Sequence, residues 1–338
     1  MRKRVYKHIS QIEKILSREE ETVYKNWGGK LPIVLIYPNS YRVGMSSLAI
    51  HAIYGLFNDE PDVVCERAFY GFQHAPRFDE PIFSLESQRP LDDFAVLAFS
   101  ISYELDYFNV VHMLRKAGIP IFAQDRDKSW PLIIAGGPAI YTNPEPMADI
   151  FDAIAIGDGE VIIPPLIDVL WESTNIPRQQ AYANLANVDG MYVPSYRGEG
   201  THTPPPTPPF QGEGRDTPPP DPPLQKEMGV PCSHLPLVGC LRRENAPINR
   251  IWLKNLNHAP ATTHIYTKNT EFGDKTLIEI ARGCGRGCRF CLAGYVYRPM
   301  REVDIDTVLA LARQGLMHRD KIGLVSASVS DHSAWEQN

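Results

Sequence analysis

Several features that would assign a protein to a broad class are missing from this sequence of 338 residues. No apolar run approaches the ~20 residues that a membrane-spanning helix needs, so we expect no membrane span. The formal net charge is −6, which gives no electrostatic support for nucleic-acid binding. The basic start, MRKRVYKH, is not followed by the apolar core of a signal peptide. The sequence therefore predicts a cytoplasmic protein.

Cysteine is scarce, and its six residues do not form a disulfide framework, which suits a reducing compartment. Cys65 lies in an apolar strand-like run and is expected to be a small core residue. Cys232 and Cys240 lie in an irregular region and are poor candidates for ligating an iron–sulfur cluster. The other three cysteines are concentrated in the run ARGCGRGCRFC.

This run places Cys284, Cys288 and Cys291 in Cys-x3-Cys-x2-Cys spacing on one short loop. Three thiolates can hold three corners of a cubane [4Fe–4S] cluster and leave the fourth iron open to a reactant. Glycines in the loop allow close backbone approach, and arginines offset the negative charge of the thiolates and the cluster. These neighbours are Gly283, Gly285, Gly287, Arg282, Arg286 and Arg289. The three cysteines are the predicted metal ligands.

Two other metal sites remain open for this loop. A zinc site would need a fourth ligand, and His264 or Cys240 could supply it, although neither lies at a zinc-finger distance. A purely structural iron–sulfur cluster would normally have a fourth cysteine.

From residue 31 to 175, short apolar runs alternate with longer helical patterns, which is typical of a parallel α/β sheet. We predict an α/β fold with a flavodoxin-like (Rossmann-type) doubly wound sheet over 31–175, after an N-terminal helical segment at 1–30. The predicted strands are Ile33–Tyr37, Val63–Ala68, Ala95–Ser100, Leu132–Ala135 and Ala153–Ile156. The predicted helices between them are Ser47–Phe57, Asp106–Ala117 and Val161–Trp171.

Ligands of such sheets bind beyond the carboxyl ends of the strands, and the loops predicted there are rich in glycine and hydroxyl groups. Glycines let the backbone approach a flat or phosphate-bearing ligand, whereas hydroxyls offer hydrogen bonds. Each loop taken alone could equally consist of ordinary turn residues. The candidate binding residues are Ser40, Ser100, Gly136, Gly137, Gly157, Gly159 and Glu160.

The order of these features resembles that of radical S-adenosylmethionine (radical SAM) proteins with an N-terminal cobalamin-binding domain. The resemblance rests on a Gly-Gly-Pro loop, a Gly-Asp-Gly-Glu loop and then the cysteine loop, and it covers nearly everything outside 198–245. The phrases YPNSYRVGMS and RGCGRGCRFCLAG look like one large subfamily whose substrate is uncharacterised.

The resemblance implies an enzyme that binds a [4Fe–4S] cluster and S-adenosylmethionine and generates a 5′-deoxyadenosyl radical. It implies that Phe290 packs near the adenine and that Ser326 and Ser328 contact the methionine part of the cofactor. The candidate loop residues would then bind cobalamin, and a reductant such as flavodoxin or ferredoxin would be a partner. The Asp-x-His-x-x-Gly run that ligates cobalt in many cobalamin proteins is absent, so cobalamin binding stays open.

The radical SAM domain of such enzymes is a partial (β/α)6 barrel, and residues 246–338 offer only its start. We predict a strand at Thr276–Ala281, a helix at Asp306–Leu316 and a strand at Ile322–Ser326. We therefore expect a C-terminally truncated chain, either a fragment or a protein whose barrel a second polypeptide completes. Such a chain is not expected to turn over alone.

Residues 176–245 form the predicted linker, and its part at 201–225 contains ten of the 30 prolines. This composition predicts a disordered insertion. It could be a docking site for a proline-recognising partner or a translated repeat inserted in a surface loop.

Two other functions remain open at this point. One is a corrinoid- or nucleotide-binding module with a vestigial cluster site, and the other is a zinc-stabilised interaction protein.

Overall fold

The structure is a computed structural model that describes residues 2–72, 82–196, 242–243 and 246–334. The predicted insertion at 201–225, Cys232 and Cys240 lie outside the described residues. Within the described residues, no helix combines the length and apolarity that crossing a membrane requires.

A largely parallel six-stranded sheet forms the first region of the molecule, in the order β2-β1-β3-β4-β5-β6. The last strand is antiparallel to its neighbour and lies beyond the predicted domain boundary at 175. The strands are β1 (Leu31–Ser40), β2 (Val63–Gly71), β3 (Val96–Ser100), β4 (Leu132–Gly136), β5 (Ala153–Ala155) and β6 (Met191–Tyr192). Each of the five predicted strands is present, with its ends shifted by a few residues.

These strands form because their sequences are nearly continuous apolar runs, the pattern of a parallel sheet that is covered on both faces. β2 is buried at all nine positions. Successive side chains of a strand point to opposite faces, so Leu35 lies in one core cluster and Ile36 in the other. We refer to this sheet and its helices, residues 31–196, as the sheet domain.

Helices cover both faces of the sheet and connect its strands. The three longer helices predicted from the sequence, at 47–57, 106–117 and 161–171, are confirmed within one or two residues at each end. The helices are α1 (Arg2–Leu16), α2 (Tyr41–Gly44), α3 (Leu48–Asp59), α4 (Asp106–Lys116), α5 (Pro138–Thr142), α6 (Gly159–Ser173) and α7 (Arg178–Ala186).

A buried ion triad ties the N-terminal segment to the sheet. Arg67 in β2 donates to Glu19 at 2.7 Å and 2.9 Å and to Glu86 at 2.7 Å, and its side chain is fully buried. Burial opposes the ionisation of Glu19, but Arg67 outweighs this effect and lowers the pKa of Glu19. For Glu86 burial prevails and raises the pKa. Arg67 therefore supplies hydrogen bonds and a positive charge that offset the cost of burying two carboxyl groups.

The second region, residues 246–334, is smaller and less covered. β9 pairs in parallel with β12, and β10 pairs with β11 in antiparallel fashion. Its elements, with a short hairpin before them, are β7 (Arg242–Arg243), β8 (Ala246–Pro247), β9 (Thr276–Glu279), β10 (Ala281–Arg282), α8 (Ala293–Val296), β11 (Arg301–Glu302), α9 (Ile305–Gly315) and β12 (Ile322–Val325). The predicted strand at 276–281 is thus split at Ile280, and the predicted helix and second strand are confirmed. We refer to this part as the cysteine region.

His51 and Gly157 connect the two regions through the backbone. His51 in α3 accepts hydrogen bonds from the amides of His264 and Ile265, both at 3.3 Å, through Nδ1. Gly157, with φ +148°, forms a parallel bridge to Ile251. A Cβ at Gly157 would overlap the carbonyl oxygen of Ile251, so only glycine permits this contact.

Candidate functional site

A cavity of about 500 Å³ lies at the carboxyl ends of the parallel strands, between the sheet domain and the cysteine region. Its deep wall is apolar and includes Leu35, Phe57 and Ile163. Side chains of the cysteine region, including Arg282 and Tyr297, close its other side. Ligand cavities of proteins typically measure roughly 300–1,000 Å³ and are mostly apolar with a few polar groups. The size and the lining suit a small organic ligand.

Six of the seven loop residues predicted to bind a ligand line this cavity. They are Ser100, Gly136, Gly137, Gly157, Gly159 and Glu160. The seventh, Ser40, is not part of this lining, and its hydroxyl instead accepts a hydrogen bond from the amide of Val43 at 3.4 Å and caps α2. Gly157 has a structural reason for being glycine in its contact with Ile251, whether or not a ligand binds there.

The cavity offers no soft or imidazole donor to a metal. Among the described residues, none that lines it is histidine, cysteine or methionine. The lining side chains that could approach a metal are oxygen donors, including the carboxylates of Asp158, Glu160 and Glu279.

A charged cluster lies where the cavity meets the cysteine region. Arg282 donates to Glu160 at 2.6 Å and 3.2 Å and to Glu279 at 2.7 Å and 2.8 Å. Asp158 receives Arg301 at 2.6 Å and lies 3.3 Å from both Arg282 and Arg250. Three carboxylates thus face three guanidinium groups, and the cluster is neutral as a whole.

The antiparallel pairing of β10 with β11 explains why two arginines meet at one carboxylate. Arg282 lies directly opposite Arg301 in this pair. Side chains of directly opposite residues point to the same face, so both guanidinium groups reach Asp158. The negative charge of Asp158 compensates the repulsion between them.

The pKa shifts of this cluster agree with its geometry. Burial alone would lower the pKa of Arg282, but Glu279 and then Glu160 outweigh it and hold the pKa above its usual value. Burial opposes the ionisation of Asp158, but Arg282, then Arg301 and Arg250, hold its pKa below the usual value. Both groups are therefore charged at neutral pH.

The three predicted metal ligands lie on the loop that follows Arg282. Cys284 and Cys291 are half-buried, Cys288 is exposed, and all three are free thiols. The amide of Arg286 donates to the Cys284 sulfur at 3.4 Å, and the Arg286 side chain pairs with Asp331 at 2.5 Å and 2.8 Å. The number and kind of donors fit a cluster with three protein ligands.

The loop does not gather these sulfurs at a metal-binding distance. Within the part of the chain that the structure describes, no three histidine, cysteine or acidic side chains are grouped so that they could hold a metal ion. His264, the described candidate for a fourth zinc ligand, lies beside Gly55 of α3. A metal bound by the three cysteines would have to draw the loop together.

The residues predicted to contact S-adenosylmethionine lie in different surroundings. Ser326 lines the cavity, and its hydroxyl accepts a hydrogen bond from the amide of Ser328 at 3.2 Å. Phe290 is 93% exposed, so no other residue that the structure describes covers its ring. The roles of all three toward a cofactor remain predictions.

Sequence reasoning missed Asp158, Arg250 and Arg301 as residues of this site. Asp158 is part of the Gly-Asp-Gly-Glu loop, but its partners lie 92 to 143 residues away along the chain. No local pattern marks such pairs. In the sequence, the one available signal was an aspartate placed between two loop glycines.

Part of the chain is similar to known proteins. Residues 49–194 match the family described as radical SAM proteins, N-terminal. An uncharacterized protein of Methanocaldococcus jannaschii is 24% identical over 307 residues, which are 89% of this chain and 50% of that protein. The chain therefore spans about half the length of this curated relative.

A solved structure also aligns with the chain. It is the radical S-adenosylmethionine methyltransferase TsrM from Kitasatospora setae, with its tryptophan substrate and a SAM analog bound. The alignment covers 90% of this chain and 49% of that one, with 13% identity and a TM-score of 0.46.

Proposed function

We propose that this chain is part of a radical SAM iron–sulfur enzyme, with Cys284, Cys288 and Cys291 as the ligands of a [4Fe–4S] cluster. The observation that carries the proposal is the position of the cysteine loop. Arg282 lines the cavity, and the first of the three thiols follows it by two residues. The cavity also borders the region that matches the radical SAM N-terminal family. A metal on this loop and a ligand in the cavity would therefore be neighbours.

Three protein ligands would leave one iron open for S-adenosylmethionine. When bound, the cluster would supply the one-electron reduction of that cofactor, the entry to radical chemistry. The chain's own share is binding, orientation and exclusion of water. Ser326 is placed to donate or accept a hydrogen bond in the cavity, and the apolar wall with Leu35 and Phe57 keeps water out. Phe290, exposed beside Cys291, is available to stack on a base.

We further propose that the cavity accepts part of a corrinoid, with the sheet domain as its flavodoxin-like binding domain. The strand order β2-β1-β3-β4-β5 supports this assignment, because it is the order of the flavodoxin-like doubly wound sheets. The six candidate residues along the wall support it as well. Among the described residues, no histidine, cysteine or methionine lines the cavity, so the glycines and hydroxyls of the loops would hold the corrinoid.

A second candidate is a corrinoid- or nucleotide-binding module without a working cluster. The observation that favours it is that the three sulfurs are not gathered around one point. It differs from the first proposal in requiring no iron.

Anaerobic reconstitution with iron and sulfide tests the first proposal. We expect about four irons per chain and a charge-transfer band near 400 nm, as for a [4Fe–4S] centre. Cys288→Ala should lose most of the iron, whereas Cys65→Ala, at a buried position of the sheet domain, should keep it. Equal iron in Cys288→Ala and the wild type, or one zinc and no colour in the wild type, would reject the proposal.

Retention of cobalamin by the metal-free protein separates the second candidate. Cobalamin that stays bound through gel filtration in a protein that takes up no iron would favour the module over the enzyme.

A further inference from the structure

Arg282 joins the cysteine loop to the sheet domain through two carboxylates. We propose that Arg282, Glu160 and Glu279, here termed the Arg282 clamp, position the cysteine loop at the mouth of the cavity. This inference deepens the proposed function, since it assigns a role to residues that fix the loop carrying the three thiols. Glu160 was predicted to bind a ligand, and the structure gives it this second task.

The Arg282 clamp has the geometry of a strong contact. Its four hydrogen bonds, from 2.6 Å to 3.2 Å, place each carboxylate against the guanidinium in a two-point arrangement. Such bidentate pairs are stronger and more directional than a single contact, and lysine cannot reproduce them. All three side chains are largely shielded from solvent, with exposures of 7% to 13%. Solvent therefore screens the pairs only weakly.

The two carboxylates come from different regions of the chain. Glu160 is in the first turn of α6 in the sheet domain, whereas Glu279 ends β9 in the cysteine region. Arg282 therefore links the sheet domain to the strand that leads into the cysteine loop. The next residue, Gly283, has φ +90°, and a Cβ there would overlap backbone oxygens of Tyr297 and Pro299. The start of the loop is fixed by packing as well as by charge.

Beyond this point the loop is held in part by a more exposed contact. The other ion pair described for it, between Arg286 and Asp331, has the arginine side chain 65% exposed. Exposed pairs contribute little to stability, roughly 0–1 kcal/mol. The Arg282 clamp is therefore the better shielded of these two anchors of the loop, and its three residues also line the cavity. A cavity ligand and the cysteine loop meet at the same three side chains.

Hydrogen–deuterium exchange of the metal-free full chain tests the clamp. Glu160→Gln keeps the shape of the side chain but removes its charge, so Arg282 loses one of the three carboxylates that surround it. We expect exchange in residues 282–297 to become faster, on the order of tenfold, with exchange in β1 and β3 unchanged. Arg282→Lys, which keeps the charge but not the bidentate geometry, should give an intermediate increase. Glu172→Gln, at an exposed position of the same helix, should have no effect.

Two results would contradict the proposal that the Arg282 clamp positions the cysteine loop. One is unchanged exchange in 282–297 for both Glu160→Gln and Glu279→Gln. The other is an equal acceleration throughout the sheet domain together with faster alkylation of the buried Cys65, which would show general destabilisation.

The iron content of the same variants is a second readout. After reconstitution, Glu160→Gln should hold less iron than Glu172→Gln, and equal iron in the two would count against positioning of the thiols. If the wild type binds no iron, the proposed function fails, while the exchange result still decides whether the clamp holds the loop.

Discussion

The sheet domain and the cysteine region both contain parallel strands made from apolar runs, yet they differ in how these strands are covered. In the sheet domain, β2 is buried at all nine positions, and helices pack on both faces. In the cysteine region, β12 has no fully buried residue, and Leu324 is 46% exposed. The same local pattern thus leads to a covered sheet in one region and to an open one in the other.

The difference shows what stabilises each region. Two extensive core clusters lie mainly in the sheet domain, and one of them includes Ile265 of the cysteine region, whereas the cluster of the cysteine region itself has five buried members. The cysteine region is therefore held on the sheet domain by apolar contacts of Ile265 and by polar contacts, namely those of the Arg282 clamp, Asp158 and His51. A change of side-chain charge or of pH should therefore disturb these polar contacts under milder conditions than those that unfold the sheet.

The largest effect is expected in the ion triad of the sheet domain. Arg67→Met would leave Glu19 and Glu86 buried without a counter-charge, so we expect a loss of about 3–5 kcal/mol in the free energy of unfolding at pH 7. Arg89→Met, at a pair with Asp93 that is nearly half exposed, should cost about 1 kcal/mol or less. Urea unfolding measures both. Similar losses in the two variants would mean that burial does not set the strength of these pairs.

A matched pair of leucines tests the difference in coverage directly. Leu97→Ala in β3 removes a fully buried side chain and should cost about 2–4 kcal/mol. Leu324→Ala in β12 removes one that is nearly half exposed and should cost less than about 1 kcal/mol. Urea unfolding followed by circular dichroism provides the values. If Leu324→Ala is as costly as Leu97→Ala, the open face of β12 is covered in solution.

The contribution of His51 to the free energy of unfolding should depend on pH. Burial lowers the pKa of His51 to about 4, so the folded state keeps it neutral while the unfolded state binds a proton below pH ~6.5. The stabilisation is therefore complete above pH ~6.5 and is lost as the pH falls toward 4, by about 2–3 kcal/mol in total. Urea unfolding between pH 7 and pH 4 should show a shallower slope for His51→Gln. His258→Gln, at an exposed histidine, should keep the wild-type slope, and equal slopes in all three proteins would contradict this account.

The smallest effect on stability is expected from a deletion in the segment that lies between the two regions in the sequence. Deletion of 201–225 should change the melting temperature by no more than about 2 °C, because loop length costs little free energy. Iron uptake should also stay unchanged. A large loss of either would show that this segment contributes to the fold or to the site.

The sequence predicted the fold well where the signal is local. Nearly continuous apolar runs such as Val63–Ala68 identified the strands, and the helix at 106–117 follows its pattern within one residue. The cysteine spacing singled out the loop, and six loop residues predicted from strand ends do line one cavity.

The contacts between the two regions could not be predicted, because the residues that form them are distant along the chain. Asp158 meets Arg301 across 143 residues, and His51 meets the backbone of Ile265 across 214. A buried histidine on α3 has the same pattern as any core residue of an amphipathic helix. Glu160 was predicted to bind a ligand, and only the structure shows that it pairs with Arg282.

The most direct test of the central claim is the electron paramagnetic resonance spectrum of the reduced, reconstituted chain with and without S-adenosylmethionine. The account predicts a [4Fe–4S] signal whose shape changes when the cofactor is added, because the open iron gains ligands. An identical spectrum in both samples, or no cluster signal at all, would contradict an open iron held by Cys284, Cys288 and Cys291.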